Sequence, residues 1–415
     1  MQGDITPAQP HGPAPKPKLD EKPPQADVEL SEAELAKDPG PHQAQKERHH
    51  FDRIQRWWGK RGKTQRLTIG GTAGLLIGAV LIFVGFAFVN ASVPTAVSNY
   101  YIPHVKPKPK TVASPLTGVQ VDPVLAKRPV TGVMIENSFD ARPQSGLQAA
   151  GVVYEAVAEG GVTRFLALFQ ESRPQYIGPV RSLRPYFLDF AAPFQASIAH
   201  VGGSPDALAK VRNGHYRDID EFFNAGYYWR INSRYAPHNV YTSFAKLDAL
   251  NKSKGYRHSS FTSWPRKPQE KLKTPTAKTI NFLISGPAYY VHYDYDAKTS
   301  TYLRSEGGDH HIDLVNSSGT KKARLHPKVV IALIMGQSYG KLDASGAFYT
   351  VYDDNGSGRA YIFQDGGVKK GLWKKNGTKG QISFISSAGK PIKLDAGQTW
   401  LTVLGSESLI KYSAK

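Results

Sequence analysis

The chain has 415 residues, 40% hydrophobic and 21% charged, a balance that suits a globular protein with room for two domains and extensions. Lysine and arginine outnumber aspartate and glutamate by 53 to 34, a formal charge of +19. Cysteine is absent, which excludes disulfides, thiolate nucleophiles, Cys-ligated zinc, iron–sulfur clusters and a lipid-modified cysteine anchor.

Residues 1–50 are rich in Pro, Ala, Gln and alternating charge, and cannot bury enough apolar surface to offset their ordering entropy. Only residues 27–37, DVELSEAELAK, have helical character, and that length is marginal alone. Residues 67–89, LTIGGTAGLLIGAVLIFVGFAFV, carry no charge, with five Gly and two Thr among apolar side chains. At ~1.5 Å per residue they reach across a hydrocarbon core of ~30 Å, which predicts a single transmembrane helix over 67–90. Arg53, Arg56, Lys60, Arg61, Lys63 and Arg66 precede it, and residues 90–104 hold no Lys or Arg. The positive-inside rule then predicts a single-pass protein of the cytoplasmic membrane, its N-terminus inside and everything after residue 90 outside. Trp57 and Trp58 fit an aromatic belt on the inner side. A cleaved signal peptide is the rival, but its apolar core is shorter and nearer the start.

After the span, HVKPKPKTVASPL within residues 91–117 predicts a semi-rigid Lys/Pro spacer. Residues 118–262 predict a mixed α and β module. VTGVMIEN reads as a buried strand, and the runs around Gly160 and Gly161 as a hairpin, with a helical alternative left open by Ala and Leu. SLRPYFLDFAAPF predicts a short helix broken by Pro193. In SPDALAKVRNG, Ser204 reads as N-cap, Pro205 as the first helical residue and Gly214 as the stop. Residues 241–254 suggest a last helix. A second Lys/Pro-rich linker is expected at 263–278. Residues 279–405 form short β runs separated by Gly, Asn and Asp turns, which predicts a mostly antiparallel β module. The fold class is therefore α+β: a transmembrane helix, a mixed α/β module and a mostly antiparallel β module.

The motifs MIENSFDARPQSGL, EGGVTRFLALFQ, IGPVRSLRPYFLDFA and HVGGSP, in that order, resemble the bacterial domain family DUF3048. The resemblance extends through the β module, to about residue 404. It implies an exported, membrane-attached, two-domain protein without an established activity. A lipid-bearing cysteine has no place here, so the transmembrane helix would take over as anchor.

Arg142, Arg164, Arg181 and Arg184 each sit in one of these motifs, two of them before proline. A guanidinium fixed on a turn offers a planar fork to carboxylate or phosphate, so convergence of the four would make an anion cradle. The competing identity is internal pairing with Glu136, Asp140, Glu155, Glu159 and Asp189. Glu136 and Glu159 border strand ends, where a carboxylate pair ~5–9.5 Å apart could cleave a glycosidic bond. His200 precedes Gly202, Gly203 and Ser204, a helix entry that suits either an anion or a plain cap. A His200–Ser204–Asp206 triad is rejected, because sequence neighbours seldom converge and no GxSxG elbow is present. The aromatic stretch 222–241 suits sugar or base stacking, or a loop folded over the core. DHHID, residues 309–313, places at most two metal-type ligands on one strand face and reads as a solvated loop.

With no complete catalytic constellation, no catalytic residue, metal or cofactor is assigned. The sequence points to a membrane-anchored extracytoplasmic binding or accessory protein of the cell envelope. Its candidate ligand site is Arg142, Arg164, Arg181, Arg184, Glu136, Glu159, His200 and Ser204. The residues beyond the span carry +17, which favours an anionic cell-wall polymer or an envelope protein as partner. An envelope glycan hydrolase using paired carboxylates is the alternative, and nucleic-acid capture ranks third.

Overall fold

The computed structural model describes residues 56, 59, 60, 62–89, 110–342, 346 and 348–415. The expectations for residues 1–50, for Trp57 and Trp58 and for 91–109 lie outside them. The chain divides into two compact units, Met1–His104 and Val105–Lys415.

In the first unit, helix α1 (Lys63–Val89) forms over the apolar run. Its described consecutive apolar side chains extend from residue 75 to 82, all largely exposed but Gly78. Among the described residues no helix is long and apolar enough to cross a membrane, so the transmembrane helix expected at 67–90 is corrected.

The second unit is mostly β, with few helices. Strands β1 (Thr131–Glu136), β2 (Val152–Val157), β3 (Thr163–Phe169), β4 (Ser197–His200) and β5 (Arg217–Asp220) come from its first half. Helices α2 (Pro185–Ala191), α3 (Pro205–Asn213) and α4 (Phe244–Ser253) interrupt or follow them. The second half gives β6 (Thr279–Leu283), β7 (Tyr290–Asp296), β8 (Thr301–Glu306), β9 (Asp309–His310) and β10 (Val329–Ile334). It continues with β11 (Gln337–Leu342), β12 (Phe348–Tyr352), β13 (Gly356–Gln364), β14 (Gly367–Lys375) and β15 (Ser383–Ile385). The last strands are β16 (Thr399–Leu404) and β17 (Ile410–Ser413).

Ten strands form one mixed sheet in the order β15-β14-β13-β10-β16-β2-β3-β1-β4-β5. Every residue of β1, β2, β3 and β16 is buried, as expected of strands covered on both faces. Period-2 alternation divides their side chains. Met134, Tyr154, Leu166, Leu168 and Leu401 join a core with Phe187 and Phe190 of α2. Val133, Ile135, Phe165, Phe169 and Trp400 join another with Phe244 and Leu247 of α4. The β2–β3 hairpin turns at Gly160 and Gly161, both at positive φ, so the hairpin reading holds and the helical one does not.

The two halves are not separate layers. Strand β16 lies parallel to β10 on one side and to β2 on the other, so main-chain hydrogen bonds join residues 399–402 to 152–155. A second sheet, β9-β8-β7-β6-β17, packs on the face of β10 and β13 through Phe282, Tyr293, Val330 and Phe363. The 263–278 segment is packed into this unit. Trp264 is buried and donates to Ile382 O (2.6 Å), and Arg266 and Lys267 pair with Leu394 and Asp395. Lys267 Nζ reaches both Asp365 (2.5 Å) and Asp395 (2.6 Å).

Residues 110–262 expressed alone would lose β16 and leave the buried edge of β2 unpaired. That fragment is expected to aggregate and to lack cooperative thermal unfolding. A soluble fragment with a sharp melting transition would contradict the shared sheet.

Candidate functional site

The arginines singled out from sequence are held around the ends of β1 and β3. The chain before α2 crosses there: Arg181 N donates to Met134 O (2.9 Å) and Arg181 O accepts from Val201 N (3.1 Å). This bridging of β1 and β4 places the Arg181 side chain on Glu136, Nε to Oε1 at 3.1 Å. His238 Nδ1 stands 3.0 Å from the other Glu136 oxygen. Arg164, 2% exposed in its side chain, bonds Glu159 and donates to Ser182 O (2.7 Å). Arg184 Nη2 is 2.8 Å from Glu159 Oε2. Arg142 contacts Glu306 Oε1 (3.2 Å) and donates to Asn137 Oδ1 (3.1 Å) and Ala288 O (3.0 Å).

Arg164 and Arg184 therefore meet on Glu159, Arg181 stands on Glu136, and Arg142 on Glu306. Burial works to raise the Glu159 carboxyl, but the charges of Arg164 and Arg184 and the Arg164 hydrogen bond outweigh it and hold it below the usual carboxylate range. A carboxylate kept ionised in this way is a poor proton donor.

His200 and Ser204 do other work. Buried His200 is held between Gly202 O, 2.8 Å from Nδ1, and Asp218 Oδ1, 3.0 Å from Nε2. Asp220 completes this brace by accepting from Gly202 N (3.0 Å). Ser204 Oγ accepts from Ala207 N (3.4 Å), the N-cap of α3. Asp206 accepts from Tyr349 (2.6 Å), so the three residues do not form a triad. In the aromatic stretch, Tyr228 and Tyr241 are buried while Phe222, Phe223 and Tyr235 are exposed.

Sequence reasoning missed the most buried charge network. Arg304 of β8 is fully buried. It donates to Glu155 (2.9 Å), Tyr293 OH (2.7 Å) and His311 Nδ1 (2.9 Å). The other Glu155 oxygen accepts from Trp400 Nε1 (3.1 Å) and Thr402 (3.3 Å). His311 Nε2 pairs with Gln144 Oε1 (2.9 Å), so Nδ1 is an acceptor. Burial, Arg304 and Arg142 all push His311 well below the ordinary histidine range. Beside it, at 3.2 Å, sits Glu306 Oε2. Burial raises the Glu306 carboxyl to about 7, with Arg304 opposing and Glu155 adding. A cavity of about 360 Å³ opens next to Arg142 and Glu306, rimmed by Asp309, His310 and Lys322. DHHID is thus half solvated and half core: Asp309 and His310 are exposed, His311 and Asp313 buried. Asp313 accepts from Leu147 N (3.0 Å) and Gln148 N (3.1 Å). Among the described residues no group of three or more His, Asp or Glu could hold a metal. The available signal was the strand pattern: in TYLRSE, Arg304 shares the core-facing register of Tyr302.

A second feature is a concentration of charge. The meander β13–β15 and the turn after it, residues 356–393, hold eight basic residues and one acidic one. The acid is Asp365, buried against Lys267. Lys375 is buried and donates to Gly377 O (2.9 Å) and Thr378 O (3.1 Å). Arg359, Lys369, Lys370, Lys374, Lys379, Lys390 and Lys393 are exposed. Lys370 and Lys374 share one face of β14, with Arg359 on the neighbouring strand.

Comparison with known proteins places this geometry among relatives. Residues 116–257 match the family described as "Protein of unknown function (DUF3048) N-terminal domain", and residues 280–401 its C-terminal counterpart. A curated relative from Bacillus subtilis (strain 168), described as "Putative lipoprotein YerB", is 31% identical over 302 residues, covering 71% of this chain and 87% of YerB. The crystal structure of YerB from Bacillus subtilis superposes with a TM-score of 0.63 at 28% identity. It covers 73% of this chain and 99% of that one.

Removing one partner of a fully buried pair costs about 3–5 kcal/mol. Arg304→Ala, which takes the guanidinium from buried Glu155, is expected to lower stability by that order, read from urea denaturation; an unchanged midpoint would refute the network's role. Glu306 binds its proton more tightly folded than unfolded, since its carboxyl rises from 4.5 to about 7. Its contribution is full at acid pH and is lost as pH rises through about 7. Glu306→Gln should therefore flatten the fall of stability between those pH values. Parallel curves for variant and wild type would show that the group titrates normally.

Proposed function

Because the chain belongs to the DUF3048 family, we propose that it serves as an extracytoplasmic binding or accessory protein of the cell envelope, with an anionic wall polymer as ligand. The envelope address draws on YerB, whose description is "Putative lipoprotein". The observation that carries the ligand class is the basic meander, residues 356–393, with seven exposed basic residues on β13, β14 and the turns that follow, against one buried acid. The arginines of the family-like motifs are engaged in internal ion pairs, so the surplus positive charge of this unit is presented by surface lysines instead. Glu407 pairs with Arg359 (2.7 Å), and the exposed lysines around them leave this surface a positive excess that attracts polyanions and steers their encounter. Hydrolysis by Glu136 and Glu159 gains no support from the geometry, since both carboxylates are bonded to guanidinium groups.

The test is retention of the purified protein on immobilised anionic wall polymer. Binding is expected at low salt and should weaken as salt screens the contact. Lys370→Glu with Lys374→Glu reverses two charges on an exposed face. It is expected to abolish most retention while leaving the melting temperature close to wild type. Absence of retention at low salt, or equal retention by the double variant, would overturn the reading.

A further inference from the structure

The β11–β12 hairpin is fastened beside the β2–β3 turn: Thr350 N donates to Ala158 O (2.7 Å), and Glu159 bridges Tyr349. Between that turn, Ile284 and Ser285 and the hairpin lies a cavity of about 470 Å³, within the ~300–1,000 Å³ range of small-molecule sites.

Register decides what faces it. Gln337 pairs with Tyr352 and Tyr339 with Thr350, so Gln337, Tyr339, Thr350 and Phe348 share one hairpin face. All four line the cavity. Tyr339 is 85% exposed and Phe348 56%, a costly display for two rings on adjacent strands. Ser285 Oγ, the Gln337 amide and Thr350 Oγ1 make no hydrogen bond among the described residues. At Gly160 the site of a missing Cβ meets nothing within 4 Å, so bare backbone faces open space.

No lining residue carries a charge. A charged ligand would find no counter-charge, and a purely apolar one would leave three polar groups unpartnered. A sugar ring fits both demands. Its C–H face stacks on an aromatic ring, and its hydroxyls meet uncharged donors and acceptors. We infer that this cavity binds a neutral sugar residue of a glycan, stacked on Tyr339 and Phe348 and bonded by Ser285, Gln337 and Thr350. The inference stands apart from the basic meander, which lies on other strands.

The test titrates the full chain with neutral N-acetylated chito-oligosaccharides, followed by calorimetry. Saturable binding that is insensitive to salt is expected. Tyr339→Ala should weaken it roughly tenfold, Tyr339→Phe should retain it, and Thr350→Val should weaken it. Lys370→Glu with Lys374→Glu should leave it unchanged, which separates this site from polymer retention. The exposed Tyr339 ring makes its loss harmless to folding, checked by an unaltered melting temperature. No saturable binding by the native chain, or equal affinity in Tyr339→Ala, would overturn the assignment.

Discussion

The fully buried ion pair of Arg304 with Glu155 sits where the two halves of the second unit are stitched into one sheet. Neither side chain has solvent to fall back on, so each is tolerable only with the other in place. Glu155 is on β2, and its second oxygen is closed by Trp400 and Thr402 of β16. A one-residue slip between β2 and β16 would turn Thr402 and Trp400 away from the carboxylate. The pair thus favours one register of the central parallel strands, and the other eight strands are added to either side of that choice.

From Arg304 the constraint spreads outward. It holds His311 as an acceptor, and Glu306 beside it connects through Asn137 to Arg142 and the end of β1. There Glu136 takes Arg181 and His238. The dense arginine motifs are therefore framework: they neutralise carboxylates and tie loops to strand ends. Exposed charge and exposed aromatic rings concentrate elsewhere, on the lysine-bearing meander and on the β11–β12 hairpin.

Much of the local structure was legible. The apolar run of β1 declared a buried strand, the runs of β2 and β3 read as a hairpin with a helical alternative left open, and Ser204, Pro205 and Gly214 marked both ends of α3. What escaped was non-local. Nothing near residues 399–404 says that they lie between β10 and β2, because parallel pairing leaves no turn signature. The Lys/Pro content of 263–278 read as a spacer, yet Trp264 and Lys267 anchor it by contacts with residues about a hundred or more positions away. His311 in DHHID looked solvated because its partners, Arg304 and Gln144, come from other segments. The four arginines stood out by their motifs, but the carboxylates they meet were a matter of distances that no sequence spacing supplies. For α1, the uncharged run predicted a crossing that the described helix does not supply.

The distance in sequence between β16 and its partner β2, 245 residues from Glu155 to Trp400, bears on biogenesis. A ribosome delivers β1–β5 long before residues 399–404 emerge, so a nascent chain must wait with β2 open on one side. Long-range parallel pairing is slow, and unpaired edges invite misassembly while it lasts. Loss of residues 399–404 alone would therefore be as damaging as a large deletion, because it opens the buried edge of β2.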